Sequence, residues 1–185
     1  MNIAVYCSSR PNLAEEFVET AKIVGEWIGR NGYSLVFGGV NAGIMHTVAE
    51  STHNAGGKVV GVIPRTFIQR AEKLNDSTIV TADLNERKAK MIEISDFFIV
   101  LPGGLGTIDE WISTLSEFTV IGDTTRRILV ANINGIYDNM AKQIEETSNS
   151  PFARCEFSDI SIIANDAEQL KAELEKFNNN RNNEK

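Results

Sequence analysis

The sequence predicts an α/β fold in which a doubly wound, mostly parallel sheet carries helices on both faces. Short runs rich in β-branched and aromatic residues alternate with amphipathic stretches along the chain, as in repeated strand–helix–strand units. Three of these runs also end in turns rich in glycine or serine. Because ligands of such sheets bind at the carboxyl ends of the strands, these turns are the expected place for a functional site.

Each element follows from a local pattern. In the first helix, Phe17, Ala21, Val24 and Ile28 fall on one face, and Asn31-Gly32 is typical of a left-handed helix end. Strands are predicted at Asn2–Cys7, Ser34–Phe37, Lys58–Ile63, Thr78–Thr81, Phe97–Leu101, Arg127–Ile133 and Ile160–Ile163. Helices are predicted at Leu13–Arg30, Gly43–Asn54, Glu86–Ile94, Ile108–Phe118, Tyr137–Thr147 and Ala167–Phe177. Residues 64–77 form one long, charged connection, which suits either a mobile loop near a polar site or an ordinary solvated loop.

Composition limits the class of protein. A chain of 185 residues that is 42% hydrophobic predicts one domain, residues 1–177, followed by a disordered, asparagine-rich tail at 178–185. The net charge of −7 disfavours nucleic acid and anionic membranes as partners. No segment has the pattern of a signal sequence or a membrane span, so we expect a cytoplasmic protein. Cys7 and Cys155 lie too far apart in sequence to indicate a disulfide framework or a zinc site.

The glycine-rich turns predict a site for a phosphorylated small molecule. Gly103, Gly104, Leu105, Gly106 and Thr107 link a buried strand to a helix, so free backbone N–H groups at the helix start can meet an anion. Neither the dinucleotide pattern nor the P-loop pattern fits this turn, because a third glycine and a Lys-Ser or Lys-Thr pair are both missing.

Two further turns are weaker signals. Gly38 and Gly39 open a second turn, which either brings backbone close to a ligand or only meets the positive φ of a tight turn. The segment Cys7-Ser8-Ser9-Arg10 offers hydroxyls, backbone amides and a cation after the first strand.

Glu110 has two interpretations. Its spacing from Thr107 is typical of a capping box, in which Thr107 caps the helix and Glu110 folds back onto its amide. However, Arg87 and Lys88 are predicted in the first turns of another helix, where the helix dipole disfavours cations. A guanidinium beside Glu110 that meets a phosphate or a ribose explains this placement, so we expect a chemical role for the pair.

One histidine pair suggests a metal site. His46 and His53 are predicted to share a helix face with Glu50. A partly exposed surface face is the favoured explanation of this triplet, because no further Cys, His or carboxylate with metal-ligand spacing accompanies it, so we expect no metal.

These motifs resemble the Lonely Guy family of nucleoside 5′-monophosphate phosphoribohydrolases, the cytokinin-activating enzymes. The resemblance is carried by residues 102–110, Pro-Gly-Gly-Leu-Gly-Thr-Ile-Asp-Glu, and by Glu-Arg-Lys-Ala at 86–89, and it runs from about Ile3 to about Tyr137. It implies a Rossmann-like fold, a homodimer whose sites draw on both subunits, and no cofactor. Members have often carried the label lysine decarboxylase, but no lysine here has a recognisable pyridoxal-binding context.

The resemblance also implies a reaction and a set of site residues. The reaction is hydrolysis of the N-glycosidic bond of AMP or an N6-substituted AMP, which gives free base and ribose 5-phosphate. Arg87 and Glu110 match the catalytic pair. Substrate-binding positions are expected at Ser8, Gly38, Gly39, Lys88, Gly103, Gly104, Leu105, Gly106 and Thr107. A non-catalytic nucleotide-binding protein or a molybdenum cofactor carrier of the same fold remains the alternative.

The chain departs from the family pattern around this pocket. Ser8 and His46 stand where glycine is usual, Val40 replaces the third glycine of the second turn, and Asn85 replaces a histidine. Phe118 and Val120 lie where tryptophan and glutamine are frequent. These changes leave the preferred base open.

Overall fold

The computed structural model describes residues 1–148, 150–152 and 154–183. Seven parallel strands form one sheet: β1 (Asn2–Tyr6), β2 (Ser34–Phe37), β3 (Lys58–Pro64), β4 (Ser77–Thr81), β5 (Phe97–Val100), β6 (Ile128–Ala131) and β7 (Ser161–Ala164). The helices are α1 (Glu15–Arg30), α2 (Gly43–Asn54), α3 (Leu84–Ile94), α4 (Leu105–Ile121), α5 (Asp138–Ser148), α6 (Phe157–Ile160) and α7 (Ala167–Asn183). The predicted α/β class and all seven predicted strands are confirmed.

The strand order β4-β3-β2-β1-β5-β6-β7 reverses direction between β1 and β5. These two strands pair in parallel, with Val5 opposite Ile99 and Tyr6 opposite Val100. The loops that leave their carboxyl ends turn to opposite faces of the sheet and open a crevice between them. This switch point is the usual ligand site of a doubly wound sheet.

Two apolar layers hold the helices on the sheet. On β1, Ile3 and Val5 face a layer covered by α1, α2 and α7, whereas Ala4 and Tyr6 face a layer covered by α3, α4 and α5. Strands β1, β2, β5 and β6 are buried on both faces, which is why they read as apolar runs in the sequence, whereas the edge strand β4 is mostly exposed. In the part of the chain described, no helix has the length and apolar character needed to cross a membrane.

Two of the helix starts that differ from the sequence prediction lie beside the site. Helix α3 begins at Leu84 rather than Glu86, because the Asp83 carboxylate accepts the N–H groups of Asn85 and Glu86 at 2.8 and 2.9 Å. Helix α4 begins at Leu105 rather than Ile108. Thr107 is therefore inside the first turn, and the capping box between Thr107 and Glu110, the alternative interpretation of their spacing, is not formed.

The expected tail and the long connection are both more ordered than predicted. Residues 178–183 continue α7, which corrects the disorder expected at 178–185, although residues 184 and 185 lie outside the described residues. The Asn178 amide group accepts from the Tyr33 hydroxyl and donates to Asn31, at 2.5 and 2.6 Å. The connection at 64–77 starts as a 3-10 helix, Arg65–Arg70, and then buries the side chain of Glu72.

Candidate active site

A cleft of about 470 Å³ lies at the switch point, over the carboxyl ends of β1 and β5. Its walls come from the β1–α1 loop and from the first turns of α2, α3 and α4. The lining residues are Cys7, Ser8, Ser9, Arg10, Met45, Leu84, Arg87, Gly104, Leu105, Gly106, Thr107 and Glu110. Two of the three turns noted in the sequence therefore meet in one cavity.

The start of α4 supplies free main-chain donors to this cleft. Gly104 caps the helix without a side-chain hydrogen bond, and its carbonyl accepts the N–H groups of Thr107 and Ile108 at 3.0 Å each. Within the residues described, the N–H groups of Leu105 and Gly106 have no acceptor. A Cβ added to Gly104 or Gly106 would meet no atom within 4 Å, so this part of the cleft is open to a ligand. The turn has the form of an anion site.

Gly103 has a structural role in the same turn. A Cβ at this position would lie 2.1 Å from the Thr107 hydroxyl oxygen, so the Thr107 side chain occupies the space that glycine leaves. Gly103 thus lets the first turn of α4 close against the loop, and it does not line the cleft itself.

Arg87 and Glu110 form a buried ion pair on one wall. The Arg87 Nη2 group donates to Glu110 Oε1, and the two side chains are 12% and 3% exposed. The Arg87 Nε group is buried and has no hydrogen-bond partner among the described residues. Gly38 lies next to this guanidinium, because a Cβ there would be in van der Waals contact with Arg87 Nη1 at 3.4 Å. The pair expected from the sequence is thus assembled inside the cleft.

Burial raises the pKa of Glu110 from 4.5 to about 7, although the Arg87 charge beside it acts in the opposite direction. The neighbouring Asp109 carboxylate raises this pKa further, and Lys88 lowers it. At neutral pH the carboxyl group is therefore divided between its two protonation states. Such a value suits a group that must accept or release a proton.

A chain of hydroxyls braces Glu110 from behind. The Thr114 hydroxyl donates to the main-chain carbonyl of Glu110 at 2.8 Å, so it accepts from the Tyr6 hydroxyl, which lies 2.9 Å away. Both side chains are buried. Helix α4 is thereby bound to β1 one turn after the carboxylate. The sequence did not predict this brace, although Thr114 follows Glu110 at the helical spacing of four.

The other expected substrate-binding residues lie outside the cleft lining. Lys88 bonds both oxygens of Asp109, at 2.9 and 2.8 Å, and the Ser113 hydroxyl at 3.2 Å. Gly39, with φ +73°, accepts the N–H of Glu72 through its carbonyl at 2.7 Å. Gly38, Gly39, Lys88 and Gly103 therefore surround the site, whereas Ser8, Gly104, Leu105, Gly106 and Thr107 line it.

The His46 side chain contacts Glu72, which the sequence did not predict. Its Nδ1 lies 2.7 Å from Glu72 Oε2, and the other Glu72 oxygen accepts the N–H groups of Lys73 and Leu74. This contact joins α2 to the connection after β3. Among the described residues, no group of three or more His, Cys, Asp or Glu side chains is placed to hold a metal ion.

The fold and the site together define an α/β protein with a cleft at the switch point of its sheet, where a helix start with free N–H groups faces a buried carboxyl group. Residues 45–174 match the family model described as "Possible lysine decarboxylase". The chain is 30% identical over 177 residues to cytokinin riboside 5′-monophosphate phosphoribohydrolase LOG5 of Arabidopsis thaliana, covering 95% of this chain and 77% of the relative. It is 31% identical over 183 residues to LOG3, an enzyme of the same name and organism, covering 95% and 82%. The chain belongs to this family, the Lonely Guy phosphoribohydrolases.

A solved structure shares the fold. The molybdenum cofactor binding protein from Rippkaea orientalis superposes with a TM-score of 0.72 at 21% identity, covering 95% of this chain and 96% of that one. The likeness confirms a Rossmann-type α/β fold of parallel strands and helices. At this identity it concerns the fold alone.

Proposed function

We propose that this protein hydrolyses the N-glycosidic bond of AMP, or of an N6-substituted, cytokinin-type nucleoside 5′-monophosphate, to free base and ribose 5-phosphate. One observation carries the proposal: the Glu110 carboxyl group, with a pKa near 7, is paired with Arg87 beside a helix start with unpaired N–H groups. The relatives named for this activity support it. A cytoplasmic location stays a prediction.

In this proposal the start of α4 holds the 5′-phosphate. The N–H groups of Leu105 and Gly106 and the positive end of the helix dipole attract the anion, and the glycines leave space for its oxygens. Fixing the phosphate sets the position of the ribose along the cleft. The sugar then lies over the wall formed by Arg87 and Glu110.

The ionised Glu110 carboxylate is proposed as the catalytic base. When the C1′–N bond breaks, its electron pair goes to the nucleobase and positive charge is left on the ribose. The Glu110 carboxylate stabilises this charge. Water adds to C1′ and gives one proton to Glu110, and the departing nucleobase takes up one proton, so that Glu110 returns to its ionised form when it passes its proton on. Arg87 favours the ionised form of Glu110, and the part of its side chain that lines the cleft lies where it can contact the ribose or the phosphate.

The second candidate is a nucleotide or molybdenum cofactor carrier, which needs no chemistry at the bound ligand. The sequence leaves this candidate open. The buried carboxyl group argues against it, because a passive anion site gains nothing from a carboxylate that burial has already made costly to ionise.

An assay on a nucleotide panel tests the proposal. Purified protein with AMP or isopentenyl-AMP should release free base and ribose 5-phosphate, measured by chromatography. Glu110→Gln should abolish release, whereas Glu117→Gln, an exposed carboxylate on the same helix, should not alter it. Nucleotide binding without release from any monophosphate would instead favour the carrier.

We further propose a homodimer whose sites draw on both subunits, as the family resemblance implies. Light scattering at micromolar concentration should give twice the chain mass. A monomeric mass in a hydrolytically active preparation would contradict shared sites.

A further inference from the structure

Arg10 occupies a fixed place at the cleft. Its N–H donates to the Ser8 hydroxyl oxygen at 3.0 Å, and the Ser8 carbonyl accepts the N–H of Met45 at 3.2 Å. A Cβ on Gly43 would come within 2.3 Å of the Arg10 carbonyl oxygen, so the start of α2 packs directly against this peptide. The backbone of Arg10 is thus held by its own turn and by α2.

The side chain of Arg10 is exposed and forms part of the cleft wall, together with the start of α4. Its guanidinium makes no ion pair and no hydrogen bond with any of the residues described. An arginine with a fixed backbone and an uncommitted guanidinium is suited to bind an anion that enters the cleft.

The charges that line the cleft do not balance a phosphate without Arg10. Its charged lining residues are Arg10, Arg87 and Glu110, and the last two pair with each other. A phosphate monoester carries about −1.5 to −2 charges at neutral pH, whereas a helix start supplies only about half a positive charge. Arg10 is the lining residue whose full charge is available to the ligand.

We propose that Arg10 binds the 5′-phosphate together with the start of α4, and that it makes this site select phosphorylated over unphosphorylated nucleosides. The inference rests on the proposed function for its ligand class. Ser8 is then a positioning residue: its hydroxyl closes the turn that presents Arg10, which a glycine at this position could not do.

Binding of AMP and of adenosine, measured by calorimetry, tests the inference without requiring turnover. Arg10→Gln should weaken AMP binding by about 10- to 100-fold, the range for losing a hydrogen bond to a charged group, and leave adenosine binding unchanged. Arg10→Lys should restore part of the loss. Ser8→Ala should weaken AMP binding in the same direction by less. The control is Arg30→Gln, an equal charge change on an exposed arginine at the end of α1, and it should change neither ligand.

Three results would overturn the inference: no loss of AMP binding in Arg10→Gln, an equal loss for AMP and adenosine, or a parent protein that does not bind AMP. Failure of the proposed function is distinguishable from these. If no nucleotide is hydrolysed but Arg10→Gln still weakens AMP binding selectively, the role of Arg10 stands and the hydrolase does not.

Discussion

The pH dependence of turnover reports directly on Glu110. Its pKa is raised from 4.5 to about 7, which favours the protonated form by about 3 kcal/mol at 1.36 kcal/mol per pKa unit. Because the proposed step needs the ionised carboxylate, and because kcat/KM reports ionisation of the ligand-free protein, kcat/KM should rise with pH through a midpoint near 7. Chromatographic release of adenine between pH 5 and 9, at AMP concentrations well below KM, gives this profile. A midpoint near 4.5 would refute the reasoning.

Two substitutions should move this midpoint in opposite directions. Arg87→Met removes the adjacent cation, and losing such a neighbour raises a carboxyl pKa by roughly 1–3 units. At pH 7 the ionised fraction of Glu110 would then fall from about one half to about one tenth or less. Asp109→Asn removes a carboxylate that raises the pKa of Glu110, so its midpoint should move below that of the parent.

The direction of these shifts separates a change of ionisation from simple damage to the site. Lost contacts lower the plateau of kcat/KM, but they do not displace the midpoint. If Arg87→Met keeps the parent's midpoint, or if both variants shift the same way, Glu110 is not the group that limits the acid limb.

The same pKa makes a prediction about stability, and two glycines and the hydroxyl brace make others. Glu110 keeps its proton to a higher pH in the folded protein than in the unfolded chain, so its ionisation lowers the free energy of unfolding as pH rises from about 4.5 to 7. Denaturant unfolding of Glu110→Gln should lack this contribution. An unchanged slope of the unfolding free energy against pH would contradict the prediction. Gly106→Ala should raise stability by roughly 0.5–1 kcal/mol, because Gly106 is helical and its new Cβ would meet no atom within 4 Å. The same Cβ should weaken AMP binding, because it fills space at the start of α4 that the phosphate would occupy. Gly103→Ala should instead lower the melting temperature, since its Cβ would stand 2.1 Å from the Thr107 hydroxyl oxygen; equal stabilities for the two variants would count against the geometry of the turn. Thr114→Val should cost about 1–3 kcal/mol by leaving the buried Tyr6 hydroxyl unpaired, and adding Tyr6→Phe should recover part of it; a double variant that is less stable than Thr114→Val would argue against the brace.

Local pattern was sufficient to predict the strands and the turn that forms the site. The run at 97–101 is apolar on both sides, which is the pattern of a strand covered by helices on both faces, and β5 begins at Phe97 as expected. The pairing of Arg87 with Glu110 was inferred from the unfavourable position of cations near a helix start. That inference succeeded because the unfavourable interaction of a cation with the helix dipole indicated that Arg87 has a partner elsewhere in the chain.

The features that could not be predicted depend on contacts between residues that are far apart in the sequence. Nothing near His46 in the sequence indicates Glu72, because the two meet only after β3 and its connection fold back onto α2. The end of α7 was predicted as disordered from its asparagines, but Asn178 pairs with Tyr33 and Asn31 across the molecule. The start of α3 could have been predicted, since Asp83 is a common N-cap residue.

A crystal structure of the inactive Glu110→Gln variant with AMP tests the central claim most directly. We predict the phosphate against the N–H groups of Leu105 and Gly106, and the side chain of residue 110 within about 3–4 Å of C1′ or of one water that contacts it. A nucleotide bound with its phosphate elsewhere, or with its ribose beyond the reach of one water from residue 110, would contradict the account.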